Sequence, residues 1–90
     1  MVERSVVIQN KYGLHARPAA KFVEVASRFA SDVNIEKDGI EVNGKSIMGV
    51  LMLAAEKGAQ LTLRTEGKDE AAMADALVEL LMGKLDEEMA

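Results

Sequence analysis

One proline constrains this chain more than any other residue. Pro18 is the sole proline, and it lies just after the sole histidine, His15, in the run Gly13-Leu14-His15-Ala16-Arg17-Pro18-Ala19-Ala20. In a helix interior proline costs ~3 kcal/mol, but in the first turn its missing N–H is no loss, because those donors have no intrahelical partner. Residues before this run are strand-like up to Ile8, a polar turn follows from Gln9 to Gly13, and helix formers begin at Ala16. The helix is therefore predicted to start at about Ala16, with His15 at or beside its N-cap and Arg17 in its first turn. An imidazole and a guanidinium then stand where free backbone N–H groups and the positive end of the helix dipole converge. Such a place binds anions, phosphate above all.

The residue types fit that expectation. A neutral imidazole nitrogen is a nucleophile near neutral pH and can carry a phosphoryl group covalently. The dipole disfavours the imidazolium, and a phosphoryl group on the ring would gain from the N–H groups of Ala16 and Arg17 and from the Arg17 guanidinium. Position alone also fits a plainer role, since a lone histidine at a helix start is usually just a surface residue.

Ninety residues suffice for one small domain, spanning 1–90, with a modest core. There is no cysteine, which removes disulfides and thiolate chemistry, and a single histidine makes a structural zinc site improbable. No metal or cofactor is expected. The net charge of −4 argues against nucleic-acid binding, which relies on Lys and Arg neutralising phosphates. Met1-Val2-Glu3-Arg4 opens directly into a strand pattern without the apolar core of a signal peptide, and no apolar run approaches the ~18 residues of a membrane span. A cytoplasmic protein is expected.

Along the chain, Val2 to Ile8 reads as a strand with Arg4, Val6 and Ile8 on one face. The first helix, Ala16 to about Ala30, gathers Ala19, Phe22, Val23, Ala26, Phe29 and Ala30 on one side, with Arg17, Lys21, Glu24 and Arg28 opposite. A strip of small residues, Ala16, Ala20 and Ser27, lies between. Asp32 to Lys37 alternates with Val33 and Ile35 inward, Asp38-Gly39 supplies a tight hairpin turn, and Ile40 and Val42 continue inward. Asn43-Gly44 marks a turn. Ser46 suits the N-cap of a short helix from Ile47 to about Ala55, closed by Gly58. Gln60 to Thr65 is the fourth strand, with Leu61 and Leu63 inward. Asp69 is expected to cap a last helix whose buried stripe is Met73, Ala74, Leu77, Leu80 and Leu81, ending near Gly83 before an acidic tail at Asp86-Glu87-Glu88. The order is β-α-β-β-α-β-α, an α+β arrangement in which helices cover one face of a four-stranded sheet.

Two segments carry a resemblance. Gly13-Leu14-His15-Ala16-Arg17-Pro18-Ala19 resembles the active-site signature of HPr, the histidine-containing phosphocarrier of the bacterial sugar phosphotransferase system. Lys45-Ser46-Ile47-Met48-Gly49-Val50 resembles that family's regulatory-serine region, at the expected distance. The resemblance covers essentially the whole chain. It implies an open-faced β-sandwich, antiparallel throughout, with strand order 1-4-2-3 and three helices on one face. It also implies that His15 accepts a phosphoryl group from enzyme I and passes it to a sugar-specific enzyme IIA. Arg17 would stabilise the group, with phosphate held at the helix N-terminus by Ala16, Arg17 and Pro18. The chain itself would be a carrier and not an enzyme, and would work as a monomer.

The second helix carries a further signal. It is apolar almost all round, and if Val50, Leu53 and Ala54 face inward, then Ile47, Met48, Leu51 and Met52 face water. In proteins of the resembled family this helix and the region around the histidine form a shared docking face, here Leu14, Ala16, Ala20, Ile47, Met48 and Leu51. Ser46 is first of all a helix cap, worth ~1 kcal/mol. The resemblance adds regulatory phosphorylation by an HPr kinase/phosphorylase, and a transcriptional regulator as a further partner. Two departures stand out: Glu24 and Ser27 interrupt the basic residues of the first helix, and Tyr12 replaces a small hydroxyl residue. Two rival readings remain, a phosphocarrier of the parallel nitrogen-related system, which shares the signature, and a binding module that signals through Ser46. Regulatory relatives of that second kind lack the histidine, which counts against it.

Overall fold

A computed structural model describes residues 1–85. Four strands, β1 (Val2–Val7), β2 (Asp32–Lys37), β3 (Ile40–Asn43) and β4 (Gln60–Glu66), form one sheet in the order β1-β4-β2-β3. Every pairing is antiparallel, with Val6 opposite Leu61, Ile35 opposite Leu63 and Val42 opposite Ile35. This is the expected open-faced α+β sandwich. Val6, Val33, Ile35, Leu61 and Leu63 point to the face that the helices cover and are buried. The other face carries Glu3, Asp32, Glu36, Glu41 and Glu66, and Arg64 bridges Glu3 at 2.7 Å, Glu36 at 2.8 Å and Glu41 at 3.6 Å. The turn between β2 and β3 takes positive φ at both Asp38 (52°) and Gly39 (83°), the primed geometry that matches strand twist. Ile40, expected inward, is exposed instead, because it opens an edge strand beside the hairpin tip. Arg4 likewise shares the inward parity but reaches solvent, 3.7 Å from Asp75 on the last helix.

Helix α1 (Ala16–Ala26) buries Pro18, Ala19, Phe22, Val25 and Ala26, while Val23 is half-buried. It stops four residues before the expected end, leaving Phe29 half-buried and Ala30 exposed. The cause lies far along the chain. Arg28 and Phe29 tighten into bonds to Val25 and Ala26 carbonyls, and the next two N–H groups, of Ala30 and Ser31, donate to the Asp69 carboxylate at 2.9 and 2.8 Å. Asp69 sits at the N-cap of α3 (Glu70–Glu79) but its side chain makes no capping bond there, contrary to the sequence expectation. It accepts from the Ser31 hydroxyl as well, and Ser31 Oγ in turn accepts from the Asp69 N–H at 3.1 Å. The Ser31 hydroxyl, then the Ala30 N–H, hold the Asp69 carboxyl well below the usual range, at about 2.

Met73, Ala74 and Leu77 of α3 are buried as expected, as are Leu80 and Leu81 just beyond it, before Gly83 (φ 144°) breaks the helical geometry near the expected end. The acidic tail at Asp86-Glu87-Glu88 lies outside the described residues. Helix α2 (Ile47–Met52) ends three residues earlier than expected. Ala54 adopts a left-handed conformation (φ 50°), which turns the chain so that Ala54 is exposed and Ala55 buried, the reverse of the expected facing at Ala54. Gly58 does not close the helix: its N–H donates to the Ile8 carbonyl at 2.9 Å, where β4 begins alongside β1.

Candidate functional site

Two backbone anchors place His15. Gly13 has φ 63°, and a Cβ there would clash with the Ala55 carbonyl oxygen and lie 2.8 Å from Glu56 Cα, so only glycine allows this approach. Immediately afterwards the Leu14 N–H donates to the Ala55 carbonyl at 2.8 Å. The loop before α1 is thereby tied to the segment following α2. Leu14 is 1% exposed and belongs to the core, which corrects its expected place on a docking surface: its side chain anchors the loop from within.

His15 then occupies the N-cap position with extended backbone (φ −79°, ψ −168°), and its carbonyl accepts the first helical bond from Ala19 at 2.7 Å. Its exposed side chain makes no capping bond. Ala16, Arg17 and Ala20 are exposed as well, and Pro18 is the buried member of the first turn, where its absent N–H costs nothing. The first-turn N–H groups of Ala16 and Arg17 have no intrahelical acceptor. Further along the helix, Glu24 lies 3.5 Å from Lys21 and 3.2 Å from Arg28, so the acidic interruption draws two of the three basic residues to itself. Arg17 makes no ion pair or side-chain hydrogen bond among the described residues. The arrangement can receive an anion at a helix N-terminus beside an exposed guanidinium and an unengaged imidazole.

Helix α2 packs against α1. At its head the Ser46 hydroxyl accepts from the Gly49 N–H at 3.1 Å, so Ser46 is a genuine N-cap. Val50 and Leu53 face the core, while Ile47 (44% exposed), Met48 (69%) and Met52 (74%) face outward. Leu51 is half-buried against the core. The outward patch is thus centred on Ile47, Met48 and Met52, with Leu51 contributing only part of its surface.

One residue of this region escaped the sequence reading. Asn10 is buried, and its Nδ2 donates to the Gly13 carbonyl at 2.6 Å. An asparagine three positions before a glycine was visible as a turn signal, but its burial was not.

The chain is similar to known proteins in both sequence and fold. The family model described as the phosphotransferase-system HPr component phosphorylation site matches residues 2–82. The chain is 49% identical over 87 residues to the phosphocarrier protein HPr of Neisseria meningitidis, covering 97% of this chain and 98% of that one. It is 54% identical over 78 residues to the HPr-like protein Crh of Halalkalibacterium halodurans, covering 87% and 93%. The solved HPr of Thermoanaerobacter tengcongensis is 48% identical and superposes with a TM-score of 0.91 over 96% of this chain and 97% of that one. An HPr dimer from that organism has also been solved, with 44% identity, 100% and 99% coverage and a TM-score of 0.72. The chain belongs to the HPr family of phosphotransferase-system phosphocarrier proteins.

Proposed function

We propose that the chain carries a phosphoryl group on His15 between enzyme I, which draws it from phosphoenolpyruvate, and a sugar-specific enzyme IIA. In the first transfer an imidazole nitrogen attacks the phosphorus, the N–P bond forms as the bond to enzyme I breaks, and the group then leaves to the IIA acceptor by the same exchange in reverse. The observation that carries this reading is the exposed, unengaged imidazole of His15 at the N-cap of α1, beside Arg17, within the segment matched to the family. Arg17 supplies charge to the oxygens of the transferring group, and the Ala16 and Arg17 N–H groups add the helix dipole. The chain supplies no catalytic turnover of its own.

Ile47, Met48, Met52 and part of Leu51, with Ala16 and Ala20, form the face on which successive partners dock. A phosphate on Ser46 would bring roughly −2 of charge to the edge of that apolar patch, and an HPr kinase/phosphorylase is the partner to place it. The protein acts in the cytoplasm as a monomer, since docking at this face needs one copy. Sedimentation showing a dimer at working concentration would correct that point. The Crh likeness favours a regulatory second reading, against which His15 stands.

The test is incubation with phosphoenolpyruvate and enzyme I, followed by mapping of acid-labile phosphate. Wild type is expected to be labelled at His15, His15→Ala to take no label while keeping its melting curve, and Arg17→Ala to fold normally and transfer slowly. Labelling of a folded His15→Ala protein would overturn the assignment. Competence with a nitrogen-related enzyme I alone would move the chain to that branch.

A further inference from the structure

We propose that Asn10 is a positioning residue for transfer at His15, its buried amide holding the preceding turn in one conformation; this rests on the phosphocarrier reading above. Loops ordinarily turn their polar side chains to water, yet Asn10, between β1 and α1, is 1% exposed. Its Nδ2 donates to the Gly13 carbonyl at 2.6 Å, and the Gly13 N–H donates to the Asn10 carbonyl at 3.3 Å. The turn from Asn10 to Gly13 is therefore closed twice, once through the main chain and once through the side chain.

The chain on either side is already fixed. Upstream, the Ile8 N–H donates to Ala59 at 2.9 Å and the Gln9 N–H to Leu81 at 3.3 Å; downstream, Leu14 is held by Ala55. Between them Lys11 and Tyr12 are exposed, the lysine ammonium lying 5.3 Å from the tyrosine ring centre, so neither side chain anchors the turn to the core. Asn10 is the buried polar side chain of this stretch, and its bond closes the turn on itself. Its Oδ1 is buried without a partner, an unfavourable arrangement, so the bond to Gly13 is the favourable hydrogen bond the amide offers. An apolar residue of similar size would fill the same space and leave the Gly13 carbonyl unheld.

His15 follows Gly13 by two residues, and no capping bond of its own orients its ring. The placement of the imidazole is therefore inherited from the backbone. Phosphoryl transfer needs reacting atoms ~3–3.5 Å apart, and a misplacement of about 1 Å can cost on the order of 10²-fold in rate. Loosening the turn is thus expected to slow the transfer step more than it weakens association.

The experiment compares wild type with Asn10→Ala and the isosteric Asn10→Asp, which at neutral pH presents no donor to Gly13. Each is assayed as substrate of enzyme I well below its melting temperature, and backbone 15N relaxation is recorded for residues 11–15. The expected result is a kcat lowered at least about tenfold with KM within about twofold, and a turn rigid in wild type (order parameters near ~0.85) that becomes mobile in the variants. An unchanged kcat in a folded variant, or a KM that rises while kcat holds, would overturn the proposal. So would a wild-type turn with order parameters below ~0.6, a measurement that needs no variant to fold. If wild type takes up no phosphoryl group at all, the phosphocarrier reading fails, and relaxation alone judges the clamp.

Discussion

Replacing Gly13 with alanine tests the anchor that sets His15 in place. At φ 63° an alanine adopts a left-handed conformation that costs about 1–2 kcal/mol. The added methyl would also press on backbone, with Glu56 Cα at 2.8 Å and the Ala55 carbonyl carbon at 3.2 Å, and backbone cannot swing aside as a side-chain tip can. Overpacking of this kind costs about 1–3 kcal/mol, and displacement of Ala55 strains the Leu14 bond, worth roughly 1 kcal/mol. A total of about 3–6 kcal/mol is expected, a large share of the ~5–15 kcal/mol that stabilises a typical domain. Gly39→Ala is the control: φ there is 83°, but nothing lies within 4 Å of the new methyl, so only the conformational cost of about 1–2 kcal/mol applies. Urea denaturation of both variants, with the slopes compared to confirm two-state unfolding, gives the two losses directly. If they agree within about 0.5 kcal/mol, comparable to the usual scatter for a harmless substitution, the close approach to Ala55 does not constrain the loop and the reasoning fails.

Three further outcomes are expected. Ser46→Ala loses the bond from Gly49 and about 1 kcal/mol of stability, whereas Ser46→Asp keeps a capping acceptor, holds its melting temperature and binds enzyme I more weakly; equal affinity of all three proteins would make Ser46 a cap and nothing more. Met48→Ser, at a position 69% exposed, leaves the melt within about 0.5 kcal/mol and raises KM for enzyme I, and an unchanged KM would remove Met48 from the docking face. The Asp69 carboxyl sits at about 2 in the fold, below its unfolded value near ~3.9, so its stabilisation is complete above that value and is lost as pH falls through it towards about 2. Asp69→Asn is expected to be less stable at neutral pH and to show a flatter stability profile between about pH 4 and pH 2; parallel acid profiles for the two proteins would contradict this.

Much of the fold was legible because its signals are local. Asp38-Gly39 dictates the hairpin, Val33, Ile35, Leu61 and Leu63 alternate over short strands, and Pro18 fixes the start of α1. Strand order was different in kind: alternation says which face a strand buries and nothing about its neighbours, so 1-4-2-3 came from resemblance. The errors share a cause as well. Helix α1 does not run on to Ala30 because a carboxylate 38 positions beyond Ser31 takes the Ala30 and Ser31 N–H groups, and no window around residue 30 contains that carboxylate. Leu14 is expected on the docking face because the resembled family docks partners around the histidine, but a chain passing from a turn into a helix points adjacent side chains to opposite sides. The same alternation that exposes His15 buries Leu14.

That opposition gives the site its logic. On the proposed function the carrier exchanges its cargo with two partners in turn, and any internal bond made by the carrying side chain would have to break and re-form at each visit. His15 makes no capping bond and Arg17 no ion pair among the described residues, so neither has such a bond to give up. The cost of engagement reduces to ordering the side chains, up to about 2 kcal/mol for an arginine. Free side chains on a loose backbone would add the cost of ordering the chain as well, roughly 1–2 kcal/mol for each residue fixed. Here that ordering is already done by Asn10 and Gly13 within the turn and by Leu14 against Ala55. Freedom is confined to the side chains proposed to meet the phosphoryl group, and it is the commitment of their buried neighbours that confines it.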